Sequence, residues 1–263
     1  MHLEKNVFNS TIGVLLDIKS KTKDSLKSRL DLVNQGIRKD LHPGLTHNCK
    51  VDLPVPGASY NLRHDEKIVM LKLLRGIKVP TGFSSNIKSL VSMKDLTLAG
   101  YNSHDCHVML MVFLPIVIRA IGPVYVKMVA TRMSYFFNRI TQKVIGKTDL
   151  PALKEFIAET LCQLEMCFLP SYFDIMPHLM MHMVDQIEQL GPVYLHQMWT
   201  YERFMSTLNR YVHNHAYLEG SMIEAYTTEE SVNWCMRYIK DGRAIGCLPI
   251  STTAEPQVGV YYT

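Results

Sequence analysis

From about residue 104 to 240 the apolar residues recur every three or four positions, broken mainly at prolines and glycines. That spacing puts them on one face of successive helices, so this part of the chain is restricted to packed α-helices. The greasiest stretch, "VMLMVFLPIVI" (Val108 to Ile118), is eleven residues long, holds Pro115 and stops at Arg119. It is too short to span a bilayer and is expected to be a buried helix kinked at the proline. The pattern predicts helices over about 104–121, 124–145 and 150–168. In the third, Thr148 or Asp149 can cap the free N–H groups and Pro151 fits the first turn. A further helix is expected from Pro177 to about Leu190, and another from Leu195 to Val212. The pattern Thr227-x-x-Glu230 reads as a capping box opening the last helix. Upstream, a first helix is expected around Val7 to Ile18 and a second in "DSLKSRLDLVNQGI", closed by Gly36. A long loop follows, then a short helix near Asp65 to Arg75. "LVSMKDLTLAGYNS" is the one strand candidate, as a small hairpin or an irregular turn.

With 47% hydrophobic and 20% charged residues the chain has globular composition. Its six cysteines contain no C-x-x-C pair, which argues for a reducing compartment, and the start "MHLEKNVFNS" lacks the apolar run of a secretory signal. A nuclear or cytoplasmic, not secreted, protein is expected. The net charge of +4 is uneven: residues 1–90 hold 15 Lys/Arg against 8 Asp/Glu, and residues 91–263 hold 13 against 16. A basic first third suits a nucleic-acid partner held through phosphates, and Lys19, Lys21, Lys23, Lys27 and Arg29 are the candidate contacts. A run such as "KSKTKDSLKSR" is also the ordinary solvated face of a helix.

Three groups could carry chemistry. His178 and His182, four positions apart on one helix, can share a zinc ion, or can be ordinary core or surface histidines. The residue after His178 is Leu179, so the metalloprotease motif is excluded. "SHDCH" gathers His104, Asp105, Cys106 and His107 at a helix start, where Asp105 can cap and the histidines can ligate or hydrogen-bond. Glu202, beside an apolar stripe, is either paired with an arginine or placed to bind a cation. The sequence offers no glycine-rich phosphate loop, no G-x-S-x-G and no RNA-binding aromatic signature.

The blocks "MHLEKNVFNSTIGVLLDIKSKTKDSLKSRLDL", "GIRKDLHP", "SHDCHVML", "LPIVIRA", "FFN", "TLCQLEMCFLPSYFDIM", "HLMMHMVDQIEQLGPVYL", "ERFM" and "EGSMIEAYTTEESVNWCMRYI" follow one another in order. Together they resemble the C-terminal part of plant CACTA transposases of the En/Spm type, including the domain of unknown function that follows the catalytic domain there. The resemblance implies an RNase H-like core with a D-D-E set of acids around two Mg²⁺ ions and a helical insertion before the last acid. It makes Glu202 that last acid, and His178-x-x-x-His182 the half of a zinc site completed by an upstream C-x-x-C. The family's two aspartates and its C-x-x-C precede the block that begins here at Met1, so the reading frame resembles the back end of a broken element. Local departures are "HQMWTYER" for the usual "RWMYPFER", "LEGS" for "PEGS", and Pro177.

The expected fold is mainly α: a helical insertion domain plus the terminal helices of an RNase H-like core, the sheet largely missing. Residues 1–45 would be a basic helical segment continuing the transposase core, and 46–103 a connecting loop with short elements. Residues 104–240 would be the helical transposase-associated domain, and 241–263 a disordered tail. The expected function is that of a transposase fragment without strand-cleaving activity of its own; Mg²⁺ is the cofactor of the intact family and is not expected to bind productively here. Two alternatives stand beside it. One is a helical module that binds DNA (transposon ends) or other transposase subunits; the other is a self-contained zinc protein using His178, His182 and His104 or Cys106. Neither a membrane nor a small-molecule substrate is implied.

Overall fold

Ten of the fifteen residues of helix α1 (His2–Leu16) are buried, on every side of the helix. A helix hydrophobic all round has to sit inside other helices, and the fold is built around this one. In the computed structural model, residues 2–44, 56–80, 83–120 and 122–238 are described, with the backbone alone for Trp199, Thr200, Arg237 and Tyr238. The expected disordered tail, 241–263, lies outside the described residues. The chain is mainly α, 70% helical, with one antiparallel hairpin among the described residues.

Helix α2 (Leu26–Gln35) is capped by Ser25, in a reciprocal box with Ser28, and closed by Gly36 in the left-handed conformation. Then come α3 (His64–Gly76), the single turn α4 (Ile87–Leu90) and the hairpin strands β1 (Val91–Ser92) and β2 (Thr97–Leu98), paired Val91 to Leu98. The apolar run follows as α5 (Ser103–Val108), a π-helical turn (Met109–Phe113), α6 (Leu114–Val117) and a 3₁₀ turn to Ala120. Pro115 explains the π turn. It has no N–H for the Met111 carbonyl, and its ring crowds that carbonyl. The helix widens so that Leu114 N–H reaches Met109 O, and the Asn138 amide from the next helix takes the freed Met111 carbonyl at 3.0 Å. With its flanking turns this segment, Ser103–Ala120, is 18 residues and by length and composition alone could cross a membrane. Yet 56% of it is buried inside the protein.

Helices α7 (Val124–Ile140), α8 (Leu150–Cys167) and α9 (Ile175–Leu190) complete the core, with α10 (Val193–His196) after them. Helix α7 packs on α8, α8 on α9, and α1 on α5 and α9. Arg132 ties α7 to α8, bonding Thr160 at 3.0 Å and Glu159 at 2.9 Å, its guanidinium over the Phe156 ring. Helix α8 begins where expected, with Pro151 in its first turn, but neither candidate cap serves. A 3₁₀ turn precedes it, and the Asp149 carboxylate accepts from Arg139 instead. Helix α9 starts two residues before Pro177, because Asp174 caps it through Met176 N–H. The residues up to His196 form one compact unit, so residues on both sides of the 46–103 segment share a core.

A second unit begins at Gln197. It holds α11 (Trp199–Arg210) and α12 (Leu218–Tyr238), which pack on each other. Thr227 does not open a helix: it lies inside α12, and its hydroxyl bonds back to the Ile223 carbonyl at 2.8 Å. A Thr-x-x-Glu pattern satisfies a helix interior as readily as a helix start when the hydroxyl finds the carbonyl four residues back.

The turn between α1 and α2 is closed by a buried ion pair. Arg29, 2% exposed, makes two bonds to Asp24 (2.6 and 2.7 Å) and one to the Leu41 carbonyl. The Tyr60 hydroxyl donates to the same carboxylate at 2.8 Å. Removing one partner strands a buried charge, so Arg29→Ala is expected to cost about 3 kcal/mol. The paired change Asp24→Leu with Arg29→Met, which leaves no charge behind, should recover most of that in urea denaturation.

Candidate functional site

The basic run is not one continuous face. Gly13 is the reason the chain turns where it does: a Cβ there would lie 2.5 Å from the Lys21 carbonyl oxygen, so only glycine lets the turn fold back onto α1. That turn draws Lys21 inward over the Tyr101 ring, where it also bonds the Tyr101 hydroxyl. Burial there lowers its ammonium pKa. Lys23 pairs with Asp174 at 2.9 Å, and Arg29 is enclosed as described. Lys19 and Lys27 remain exposed. Of five candidate DNA contacts, three are engaged inside the protein.

Other cations come together that the sequence does not single out. Lys72, Arg75, Lys78 and Lys88 line one open cleft at the end of α3 and on α4. Local pattern could not reveal this, because Lys88 joins the others only through the path of the chain between α3 and α4.

His178 and His182 lie on the solvent face of α9, opposite the buried stripe Met180, Val184 and Ile187. Their Nε2 atoms are 3.1 Å apart. At that distance the two nitrogens can share a hydrogen bond or, as neutral imidazoles, one ion. Among the described residues no group of three or more His, Cys, Asp or Glu is placed to share a metal. His104 and Cys106 are not brought to the pair. His104 Nε2 bonds the Phe83 carbonyl at 2.8 Å, and the Cys106 thiol is fully buried, its pKa pushed up to about 12 by that burial.

The "SHDCH" cluster opens α5. Asn102 is the N-cap, accepting from Asp105 N–H, and the Asp105 carboxylate returns the bond to Asn102 N–H and also takes Ser85 N–H. His107 Nδ1 sits 3.2 Å from both oxygens of Glu4, a buried carboxylate on α1. Burial is the largest single effect and opposes the charge on Glu4, but the His107 hydrogen bond and the neighbouring positive charges together outweigh it and hold the carboxyl below its usual pKa.

Glu202 is exposed in the first turn of α11. Within this second unit no described side chain is buried. Phe204, Leu208, Met222, Ile223 and Tyr226 line an apolar groove between α11 and α12. Tyr211 of the turn bonds Glu229, and Ser221 receives the N–H groups of His213 and Asn214, which fixes the connection between the helices.

With the geometry in place, comparison with known proteins adds one relation. Residues 140–246 match the family described as "Domain of unknown function (DUF4218)", from the end of α7 through α8 to α12. No curated protein and no solved structure matches the chain.

Two outcomes are expected. Zn²⁺ titration of the intact protein should show weak uptake that either His178→Ala or His182→Ala removes, with unfolding free energy unchanged to within about 0.5 kcal/mol because both rings are exposed; uptake persisting in the double variant would contradict a shared ion. For Glu4, a depressed folded pKa means its stabilisation is complete above the unfolded carboxylate range and is lost as pH falls through the folded value. Glu4→Gln should therefore flatten the fall in stability below about pH 4, read from chemical denaturation in a series of acidic buffers.

Proposed function

We propose that these residues are the C-terminal part of a CACTA-type DNA transposase, a helical piece that supplies one acid of a cleavage centre. The observation that supports this best is the coincidence of the resembling blocks with elements the fold depends on. The first block contains the enclosed helix α1 (His2–Leu16), and "SHDCHVML" contains Asp105, which completes the capping box of α5 with Asn102, and the partner of Glu4. "FFN" contributes two fully buried rings and the Asn138 amide that completes the π turn. Blocks retained in this order and in these positions fit descent from the same fold.

Strand cleavage with two Mg²⁺ ions needs several carboxylates around the pair. The resemblance assigns one of them here, Glu202, and the two aspartates would have to come from residues outside these 263, in the same polypeptide or in another subunit. In this reading the chain alone does not cut DNA, its partners are transposon ends or transposase subunits, and it acts in the nucleus. A second reading, a DNA- or subunit-binding module with no part in cleavage, is favoured by the open cleft of four cations.

The purified protein with Mg²⁺ or Mn²⁺ should leave supercoiled plasmid intact, and mixing it with a catalytic segment carrying the two aspartates should produce nicking that Glu202→Gln abolishes. Nicking by the protein alone, lost on Glu202→Gln, would overturn the proposal.

A further inference from the structure

We infer that the cleft formed by Lys72, Arg75, Lys78 and Lys88 grips the phosphate backbone of duplex DNA. The inference rests on the reading of DNA as a partner, and is independent of any role for Glu202.

All four side chains are exposed, and among the described residues no Asp or Glu lines the cleft. Among the described residues none of the four forms an ion pair with an acid. Elsewhere in the first third three cations are paired with acids, Lys23 with Asp174, Arg29 with Asp24, and Arg63 with Asp65 and Glu66, while Lys19 and Lys27 are exposed one by one. Here it leaves four together.

The ordinary explanation for cations at this place is the C-terminal end of α3, whose partial negative charge favours them. It accounts for Arg75 in the last turn. It does not account for Lys88, which belongs to α4 and is brought in by the intervening chain. Nor does it offset the mutual repulsion of Lys72, Arg75 and Lys78 at three-residue steps, of which the first two are neighbours on one helix face. An anion that spans all four relieves that repulsion.

The shape decides what kind of anion. The cleft is open, with a volume of about 1050 Å³. A single phosphate would meet one or two of the cations in such a space, whereas a polymer of phosphates lying along it can meet all four. Each neutralised phosphate releases condensed counterions, which gives affinity that is indifferent to sequence and steep in salt. The excess of 15 basic over 8 acidic residues in positions 1–90 adds a field of the same sign.

The test is the anisotropy of a fluorescent duplex of arbitrary sequence, titrated with the whole chain over a series of salt concentrations. The wild type should bind, with a straight dependence of log K on log salt. Lys72→Gln, Lys78→Gln and Lys88→Gln together should make that slope shallower by about 2 to 3 and weaken binding at about 0.1 M salt at least tenfold. These are exposed positions, and a circular-dichroism melt should confirm an unchanged fold. If the triple variant keeps the wild-type slope while Lys19→Gln with Lys27→Gln lowers it, the cleft is the wrong site and the DNA partner stands. A triple variant that keeps DNA but loses binding to poly-glutamate overturns the assignment in favour of an acidic protein. No binding by the wild type at about 50 mM salt removes the cleft and the DNA partner together, whereas the plasmid assay reports on Glu202 separately.

Discussion

The enclosure of α1 is the constraint from which the rest of the first unit follows. Where α1 is enclosed a polar side chain is cut off from water and needs a partner inside. Thr11 meets the Tyr172 hydroxyl at 2.9 Å, Asn9 accepts from Tyr101, and Glu4 takes His107. These partners come from α5, from the segment before it and from the turn before α9. The polar fittings of α1 therefore fix the same elements that its apolar side chains touch. Val7, Phe8, Ile12 and Leu15 supply the burial, each 1% exposed or less. Removal of about 25 cal/mol per Å² of apolar surface from water makes that burial the dominant favourable term, and the hydrogen bonds decide which way round the helix sits.

Much of this fold was legible because its signals are local. Gly36 ends α2 as the sequence suggests, since a left-handed residue is needed there and glycine adopts it without strain. Pro115 marks a distortion, though the form it takes depends on Asn138, whose amide donates to the Met111 carbonyl 27 positions before it. The start of α9 was misplaced by two residues because a proline looked like the first helical position when an aspartate ahead of it was the better cap. The Thr227 pattern was misread for the opposite reason: its chemistry is local, but two local bonds satisfy it equally well. The expected helix from Leu195 to Val212 is interrupted, with α10 ending at His196 and α11 starting at Trp199.

Charge was the least legible property. A run of lysines in the sequence says how many cations there are, and only the fold says which of them are neutralised. Gly13 admits the turn, the turn buries Lys21 against Tyr101, and Asp24 and Asp174 take the neighbouring cations. Meanwhile Lys72, Arg75, Lys78 and Lys88, scattered over 17 positions, end up lining one cleft. The same argument separates the two histidine groups. His104, though exposed, and the half-buried His107 are held by a carbonyl and a carboxylate, whereas His178 and His182 are exposed with their nitrogens turned to each other.

The second unit poses a different physical problem. Tyr201, Phe204, Met205 and Leu208 recur at helical spacing along α11, yet no described side chain of this unit is buried. Two helices of this length cannot remove enough apolar surface from water to offset the entropy of ordering them. Phe204 and Tyr226 meet edge to face across the pair, their centroids 6.5 Å apart, at the far end of the range for such contacts. A covering surface would supply the missing burial and at the same time set the rotation of α11 about its axis. That rotation aims the Glu202 carboxylate. A metal ligand has to be held to within about half an ångström by its supporting shell, so in a cleavage centre the acid and the cover over this apolar stripe would have to arrive as one assembly. The role proposed for Glu202 thus depends on a packing requirement that can be read from the helix itself.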